Sequence, residues 1–159
     1  MDVDDSSSEL NMSHSPDFTK DNYDQTVANY RGKKLTQLPS NLFAKQKNLT
    51  KIDLEDKKLT QLPDDLFVGL TNLKLLFLNR NRLETLPNGI FKDLINLEYI
   101  TLSNNRLETL PSGIFNNLTQ LEELYLSSNR LKTLPDDKHM LSGNYLVFTC
   151  IAWRILSRR

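Results

Sequence analysis

Leucines recur along this chain at a constant interval. This interval is much longer than the period of a helix or of a strand. The interval is 24 residues, and it holds over five successive leucines. Five of the chain's six prolines and four phenylalanines keep the same step. Such a period predicts stacked copies of one supersecondary unit. The recurring positions are Leu35, Leu59, Leu83, Leu107 and Leu131; Pro39, Pro63, Pro87, Pro111 and Pro135; and Phe43, Phe67, Phe91 and Phe115.

Each unit contains a short stretch in which apolar positions alternate with variable ones. In one unit Leu76 and Leu78 alternate with Leu75, Phe77 and Asn79, and this period of two predicts a short strand with one buried face. Parallel strands need a return path, which the rest of the unit supplies. We therefore expect a parallel sheet on the inner side of a curved stack, with irregular segments and short 3-10 turns on the outer side.

Written as one unit, the pattern is L-x-x-L-x-L-x-x-N-x-L-x-x-L-P-x-x-x-F-x-x-L-x-x. It resembles the 24-residue form of the leucine-rich repeat, and the resemblance covers roughly residues 26–137. It implies an α/β repeat solenoid shaped as an arc, with a concave parallel sheet. Units of this type resemble those in Toll-like receptor ectodomains and in the variable lymphocyte receptors of jawless fish, which recognise microbial or other foreign ligands.

An asparagine follows three of the predicted strands at identical register, which a mere preference for turns would not require. The resemblance implies that its side-chain amide satisfies backbone groups at the turn. Lys33 and Lys57 occupy the equivalent positions in the two preceding repeats, so the ladder of asparagine side chains is expected to begin only at the third repeat. The phenylalanines are expected to form a stacked spine in the core rather than a ligand-binding strip, because their apolar neighbours keep the same step. The predicted structural residues are Asn81, Asn105 and Asn129, with Phe43, Phe67, Phe91 and Phe115.

Composition divides the chain into three predicted parts. Residues 1–25 form an acidic tail that lacks the apolar content to order itself, because the first 24 residues carry seven acidic side chains and one basic one. Residues 26–137 form the solenoid. Residues 138–159 form a divergent capping strand and tail, since His139 replaces the phenylalanine. That tail could cover the open end of the core, lie on a membrane surface, or be the end of a truncated chain; covering the core is favoured.

Charge and reactive residues exclude several function classes. Twenty basic and twenty acidic side chains cancel, which argues against a nucleic-acid partner held by its phosphates. One cysteine and two histidines make a disulfide or a metal site improbable, and no cofactor is expected. No nucleophile with a base and no phosphate-binding loop is present, so an enzyme is not expected. No apolar run is long enough to span a membrane, and the oligomeric state stays open.

The variable strand positions predict a set of side chains on the concave face. Large apolar residues among them have little other reason to face solvent, and aromatic clusters on rigid concave surfaces are typical of protein-binding hot spots. The alternative is that they pair across strands and only stabilise the sheet. The candidate partner-binding residues are Lys51, Asp53, Leu75, Phe77, Arg80, Tyr99, Thr101, Glu123 and Tyr125.

The compartment is not settled by the sequence. The repeat type favours an extracellular protein, whereas the lack of a visible signal peptide and of disulfide-forming cysteines favours the cytoplasm. Possible glycosylation acceptors are Asn11, Asn48 and Asn117, although two of these motifs arise from the repeat itself. The sequence thus predicts a non-catalytic module that binds a protein or other macromolecule on its concave face, as a fragment of a receptor ectodomain or, alternatively, as an intracellular adaptor or scaffold.

Overall fold

The computed structural model describes residues 26–30 and 36–133. These residues contain five strands and no helix. The predicted acidic tail and the predicted C-terminal capping segment lie outside the described residues, and so do Lys33 and Asn11. The strands are β1 (Val27–Asn29), β2 (Lys51–Asp53), β3 (Leu75–Phe77), β4 (Tyr99–Thr101) and β5 (Glu123–Tyr125).

The five strands form one parallel sheet in which spatial order follows chain order. The pairing register advances by one repeat at each step, so that Leu76 of β3 lies between Ile52 of β2 and Ile100 of β4. Because the register offset equals the sequence period, every side chain lies beside its equivalent in the next coil. The predicted repeat solenoid with a parallel sheet is confirmed.

The return path of each coil consists of turns. In one coil the N–H of Leu66 donates to the carbonyl of Pro63 at 3.2 Å, and that of Leu70 to the carbonyl of Phe67 at 3.2 Å. Bonds between residues three apart have the 3-10 pattern, as expected for the convex side. The proline suits the start of the turn because its φ is fixed and it has no N–H to satisfy.

The core lies between the sheet and these turns. Its leucines form columns through the stack, and Leu54, Leu78 and Leu102 are all fully buried. Complete burial of each such side chain contributes about 1.5–3 kcal/mol. Leu126, in the last described coil, is 7% exposed. The columns show that the coils hold each other in register by apolar contact.

A second column consists of stacked phenylalanine rings, and we call it the phenylalanine spine. Successive ring centroids are 6.2, 6.3 and 6.1 Å apart, with interplanar angles of 15°, 23° and 11°. Neighbouring strands in a sheet are about 4.8 Å apart, so the coils are spaced more widely at the spine than at the sheet. That difference is expected of an arc with the sheet on its inner side. The spine comprises Phe43, Phe67, Phe91 and Phe115.

Asparagine side chains bridge consecutive coils where the strands end. The side-chain oxygen of Asn105 accepts a hydrogen bond from the N–H of Leu83 at 3.0 Å. Its amide nitrogen donates to the carbonyls of Leu78 and Leu102, both at 2.9 Å. One side chain therefore satisfies backbone groups of two coils that face away from water. Equivalent bonds are made one coil away on either side, and the asparagine ladder comprises Asn81, Asn105 and Asn129.

The turn that precedes the ladder differs from the others. Lys57 occupies the position of the asparagine and is 3% exposed. The next residue, Lys58, has a φ of 59°, whereas the residues at the equivalent position in later coils are not in the left-handed region. A left-handed backbone is uncommon for a residue with a Cβ. The substitution of lysine for asparagine thus coincides with a changed backbone path in the same turn.

Tyr30 ends the aromatic column at its N-terminal side. Its ring packs edge-on against Phe43, with centroids 6.0 Å apart and an interplanar angle of 72°. The side chain is 3% exposed, and none of the described residues is a hydrogen-bond partner of its buried hydroxyl. Burial raises the pKa of Tyr30 from 10.0 to about 12. The ring stabilises the end of the core, whereas the hydroxyl carries a desolvation cost.

Tyr30→Phe is therefore expected to stabilise the fold. Removing an unpaired buried hydroxyl should raise the free energy of unfolding by about 1 kcal/mol at neutral pH. A folded-state pKa raised from 10.0 to about 12 means that the stability of the natural chain is intact below pH 10 and falls as the pH rises through this window. The advantage of the variant should therefore widen between pH 10 and 12. Urea unfolding of both proteins at stepped pH measures it, and a constant or negative difference would contradict the burial of an unpaired hydroxyl.

Candidate functional site

The concave face of the sheet carries the side chains at the first and third positions of each strand. The large ones, Leu75, Phe77, Tyr99 and Tyr125, are half-buried rather than fully open to solvent, and the three rings contact one another across the strands. Two other apolar side chains, Val68 and Ile95, are more exposed at 43% and 46%, and they lie outside the strands.

Three aromatic rings lie side by side on the concave face, and we call them the aromatic row: Phe77, Tyr99 and Tyr125. The centroids of Phe77 and Tyr99 are 5.1 Å apart, and those of Tyr99 and Tyr125 are 5.4 Å apart. The interplanar angles are 34° and 43°. The row zigzags over β3, β4 and β5, because Phe77 and Tyr125 are at the third position of their strands and Tyr99 is at the first. Each pair contributes about 0.2–1 kcal/mol to the sheet. It forms a continuous aromatic surface on a parallel sheet.

The N-terminal end of the aromatic row is covered by a cation. The ammonium of Lys51, on β2, lies 5.0 Å from the centroid of the Phe77 ring. A cation over an aromatic face is attracted to the negative potential of the ring by about 0.5–1 kcal/mol at an exposed site. This contact shows that the ring faces of the row are accessible to a cationic group.

A polar cluster closes the same end of the face. The carboxylate of Glu55 accepts a hydrogen bond from the side-chain amide of Asn79 at 2.8 Å and lies 3.6 Å from the guanidinium of Arg80. The N–H of Glu55 donates to a carboxylate oxygen of Asp53 at 3.1 Å. An exposed ion pair of this kind adds at most about 1 kcal/mol. The cluster thus engages Arg80 within the protein.

Two candidate residues offer little surface to a partner. Asp53 is 8% exposed and Thr101 is 6% exposed. The sheet register sets Thr101 between Phe77 and Tyr125, so the two larger side chains cover it. Strand alternation correctly assigns a side chain to a face, but it does not predict how much a neighbouring side chain will cover it.

The C-terminal end of the face is electronegative. The hydroxyl of Tyr125 donates to a carboxylate oxygen of Glu123 at 2.7 Å. This hydrogen bond, together with burial and the negative charge of Glu123, raises the pKa of Tyr125. Burial raises the pKa of Tyr99, and the negative charges of Glu123 and Glu55 add to the effect. Both phenols therefore stay neutral hydrogen-bond donors well beyond physiological pH.

The candidate residues from the sequence do not include those immediately before each strand. The ammonium of Lys74, before β3, lies 2.8 Å from the carboxylate of Glu98, before β4. Glu122, before β5, is exposed. The 24-residue step links these positions as it links the leucines, so the periodicity could have found them.

The possible glycosylation acceptors within the described residues are exposed. Asn48 and Asn117 both present their side chains at the surface, and the amide of Asn117 donates to the carbonyl of Lys92 at 2.9 Å. Similar bonds join other coils: the amide of Asn96, for example, donates to the carbonyl of Thr71 at 2.9 Å. The amide of Asn117 thus bridges two coils of the solenoid.

The described residues offer no evident site for a metal ion. No three histidine, cysteine or carboxylate side chains among them are grouped to hold one. Over residues 26–30 and 36–133, no helix has the length and apolar character needed to cross a bilayer.

Comparison with known proteins agrees with this geometry. The family model described as leucine rich repeat matches residues 32–83, 47–107, 71–131 and 95–144. A search of curated proteins found no match to the sequence.

Several solved structures are similar to this chain. The leucine-rich repeat domain of APL1B is 34% identical with a TM-score of 0.67 over 69% of this chain and 33% of that one. The LRIM1/APL1C complex is 33% identical with a TM-score of 0.62 over 63% and 19%. The Drosophila Toll–Spätzle complex is 36% identical with a TM-score of 0.58 over 64% and 14%. This chain spans about a third or less of the length of each.

Proposed function

Because the chain belongs to the leucine-rich repeat family, we propose that it is a non-catalytic interaction module that binds a partner protein on its concave face. The observation that carries this proposal is the aromatic row, a continuous surface of three rings over neighbouring strands. Two of the similar structures are protein complexes, LRIM1/APL1C and Toll–Spätzle. They support a protein as the class of partner.

The aromatic row suits binding because the fold holds it in place before a partner arrives. Tyr99 lies on the central strand of the row and contacts a ring on each side, so its side chain has little conformational freedom left to lose. Binding is stronger when interface side chains are already ordered, since each mobile one costs about 0.5–1.5 kcal/mol to fix. Tyrosine is also enriched among the residues that dominate binding energy.

The candidate residues contribute unequally to this surface. Leu75, Phe77, Tyr99, Glu123 and Tyr125 are half-buried on the face and supply most of the contact area that we propose. Lys51 and Arg80 border the row and supply charge at its N-terminal end. The two largely buried candidates, described above, would act by supporting their neighbours.

Two biological settings fit such a module. A fragment of a receptor ectodomain that recognises a ligand is favoured, because the similar Toll–Spätzle structure is described as a hub in development and innate immunity. An intracellular adaptor or scaffold is the alternative. Affinity capture with the full chain from extracellular fluid and from a cell lysate would distinguish them, since only one of the two should yield a specific partner.

Removing two rings of the aromatic row should abolish partner capture. The variant Phe77→Ser with Tyr99→Ser loses two half-buried rings of the face while leaving the core columns intact, so we expect a loss of binding of about 100-fold or more. The melting temperature should fall only slightly, because cross-strand pairs contribute about 0.2–1 kcal/mol each. Quantitative mass spectrometry of the captured proteins measures the loss.

The matched control is Val68→Ser with Ile95→Ser, which removes two exposed apolar side chains outside the strands. It should capture the same proteins as the natural chain. If the aromatic double variant still captures those proteins at full yield, the concave face is not the binding surface and the rings serve only to stabilise the sheet.

A further inference from the structure

The two halves of the concave face differ in how their charges are used. In the half formed by β2 and β3, three cations are engaged within the protein: Lys51 lies over the Phe77 ring, and Lys74 and Arg80 each face a carboxylate. In the half formed by β4 and β5, the described residues form no ion pair with Glu122 or Glu123. Among the described residues, these two carboxylates therefore have no cation to balance their charge.

The acidic half-face, as we call Tyr99, Glu122, Glu123 and Tyr125, also has aromatic faces without a cation. The structure places a cationic side chain over Phe77, at 5.0 Å from its centroid, and over neither tyrosine of the row among the described residues. The two tyrosine rings are tilted by 43° with centroids 5.4 Å apart. Both kinds of group that attract a cation, a carboxylate and a ring face, thus occur together at this end.

The geometry points to an arginine-bearing segment of the partner protein as the occupant of the acidic half-face. A guanidinium is planar, stacks on aromatic rings and pairs with carboxylates through several N–H donors. It would meet Tyr99 and Tyr125 with its face and Glu123 with its edge. This inference rests on the proposed function, because it names the chemistry of the partner at the same surface.

Electrostatics favours a cation over other occupants. Burial is the main cause of the raised pKa of Tyr99, and the negative charges of Glu123 and Glu55 add to it, so the two carboxylates lie close enough to make the potential at its hydroxyl more negative. An acidic partner segment would be repelled there, and a purely apolar one would leave Glu123 beside a desolvated interface without a counter-charge, which is costly. An arginine satisfies both the rings and the carboxylate.

A short fluorescent oligo-arginine peptide is the probe for this inference, and an oligo-citrulline peptide of equal length is its neutral isostere. Fluorescence anisotropy with the full chain should show tighter binding of the arginine peptide by about tenfold or more. The double variant Glu122→Gln with Glu123→Gln should lose about tenfold in affinity. The control Glu84→Gln, an exposed carboxylate outside the strands, should change affinity by less than about twofold.

Three results would overturn the inference. Equal binding of the two peptides would show that the charge of the peptide does not affect binding. Full affinity in the double glutamine variant would show that the peptide binds outside the acidic half-face. The third concerns the basic C-terminal segment of this chain, which contains Arg154, Arg158 and Arg159. If replacing these three by glutamine raises affinity for the peptide, the chain's own segment occupies the face and a separate partner is not required.

The outcome separates this inference from the proposed function. If removal of the aromatic rings abolishes partner capture while the glutamine variant captures normally, the concave face is an interaction surface but arginine is not its ligand. If neither change affects capture, both proposals fail. Loss of capture in both variants, with an intact melt, supports both.

Discussion

Phe91→Ala should destabilise the solenoid by about 3–5 kcal/mol. Phe91 is fully buried and stacks between Phe67 and Phe115, with centroids 6.3 and 6.1 Å away. Truncation removes both ring contacts and leaves a cavity. The neighbouring coils cannot fill this cavity without losing their register. Because a domain of this size is stable by only about 5–15 kcal/mol, the change should be visible as a large drop in the urea midpoint and in the melting temperature.

A graded series makes this prediction specific to the spine. Phe91→Leu keeps much of the volume and should cost less than the alanine variant. Val68→Ala removes an apolar side chain that is 43% exposed and should change the free energy of unfolding by less than about 0.5 kcal/mol. A loss below about 1 kcal/mol for Phe91→Ala would mean that the rings do not support one another as the stack implies.

The second large effect is expected at the asparagine ladder. In Asn105→Ala the N–H of Leu83 loses its acceptor at 3.0 Å, and the carbonyls of Leu78 and Leu102 each lose one of two side-chain donors, because the neighbouring asparagines of the ladder still donate to them. One unpaired buried polar group costs about 1–3 kcal/mol, and the weakened bonding of the two carbonyls adds to that loss. We expect a decrease of about 2–4 kcal/mol in the free energy of unfolding, measured by urea denaturation.

Asn105→Asp and Asn88→Ala complete this test. The aspartate keeps the size and one acceptor oxygen, but at neutral pH it has no donor for the two carbonyls, so it should be destabilising as well. Asn88 is exposed in a turn, and its replacement should be nearly neutral. Wild-type stability in both Asn105 variants would show that water or backbone groups can replace the ladder.

The fold was largely predictable because a constant repeat length determines which residues lie beside one another in successive coils. A leucine that recurs every 24 residues, such as Leu78 and Leu102, has to lie beside its equivalent if each coil is to bury the next. Strand alternation then assigns every other residue to a face. Neither argument depends on the details of a side chain, which is why strand order, pairing register and the buried columns follow from the sequence.

The candidate surface was less predictable because it depends on side-chain directions. The contacts of Tyr99 on both neighbouring strands are with rings that lie two positions away from it in register, and these contacts do not follow from register alone. They determine how far the rings are buried and how little of Thr101 is exposed. The charge balance of Lys51 and Arg80 likewise requires knowing which acceptor each cation meets. Side-chain directions and ion pairs of this kind are determined by packing and by short-range electrostatics. A repeating sequence pattern does not predict them.

The one-repeat register has a consequence for how such a protein can change. Each position on the concave face belongs to a single coil, while the buried columns are shared by all coils, so a new side chain at Tyr99 or Glu123 changes the surface while leaving the buried columns intact. If the concave face binds a partner as we propose, specificity and most of the stability reside in separate sets of positions, and selection for a new ligand works little against the fold.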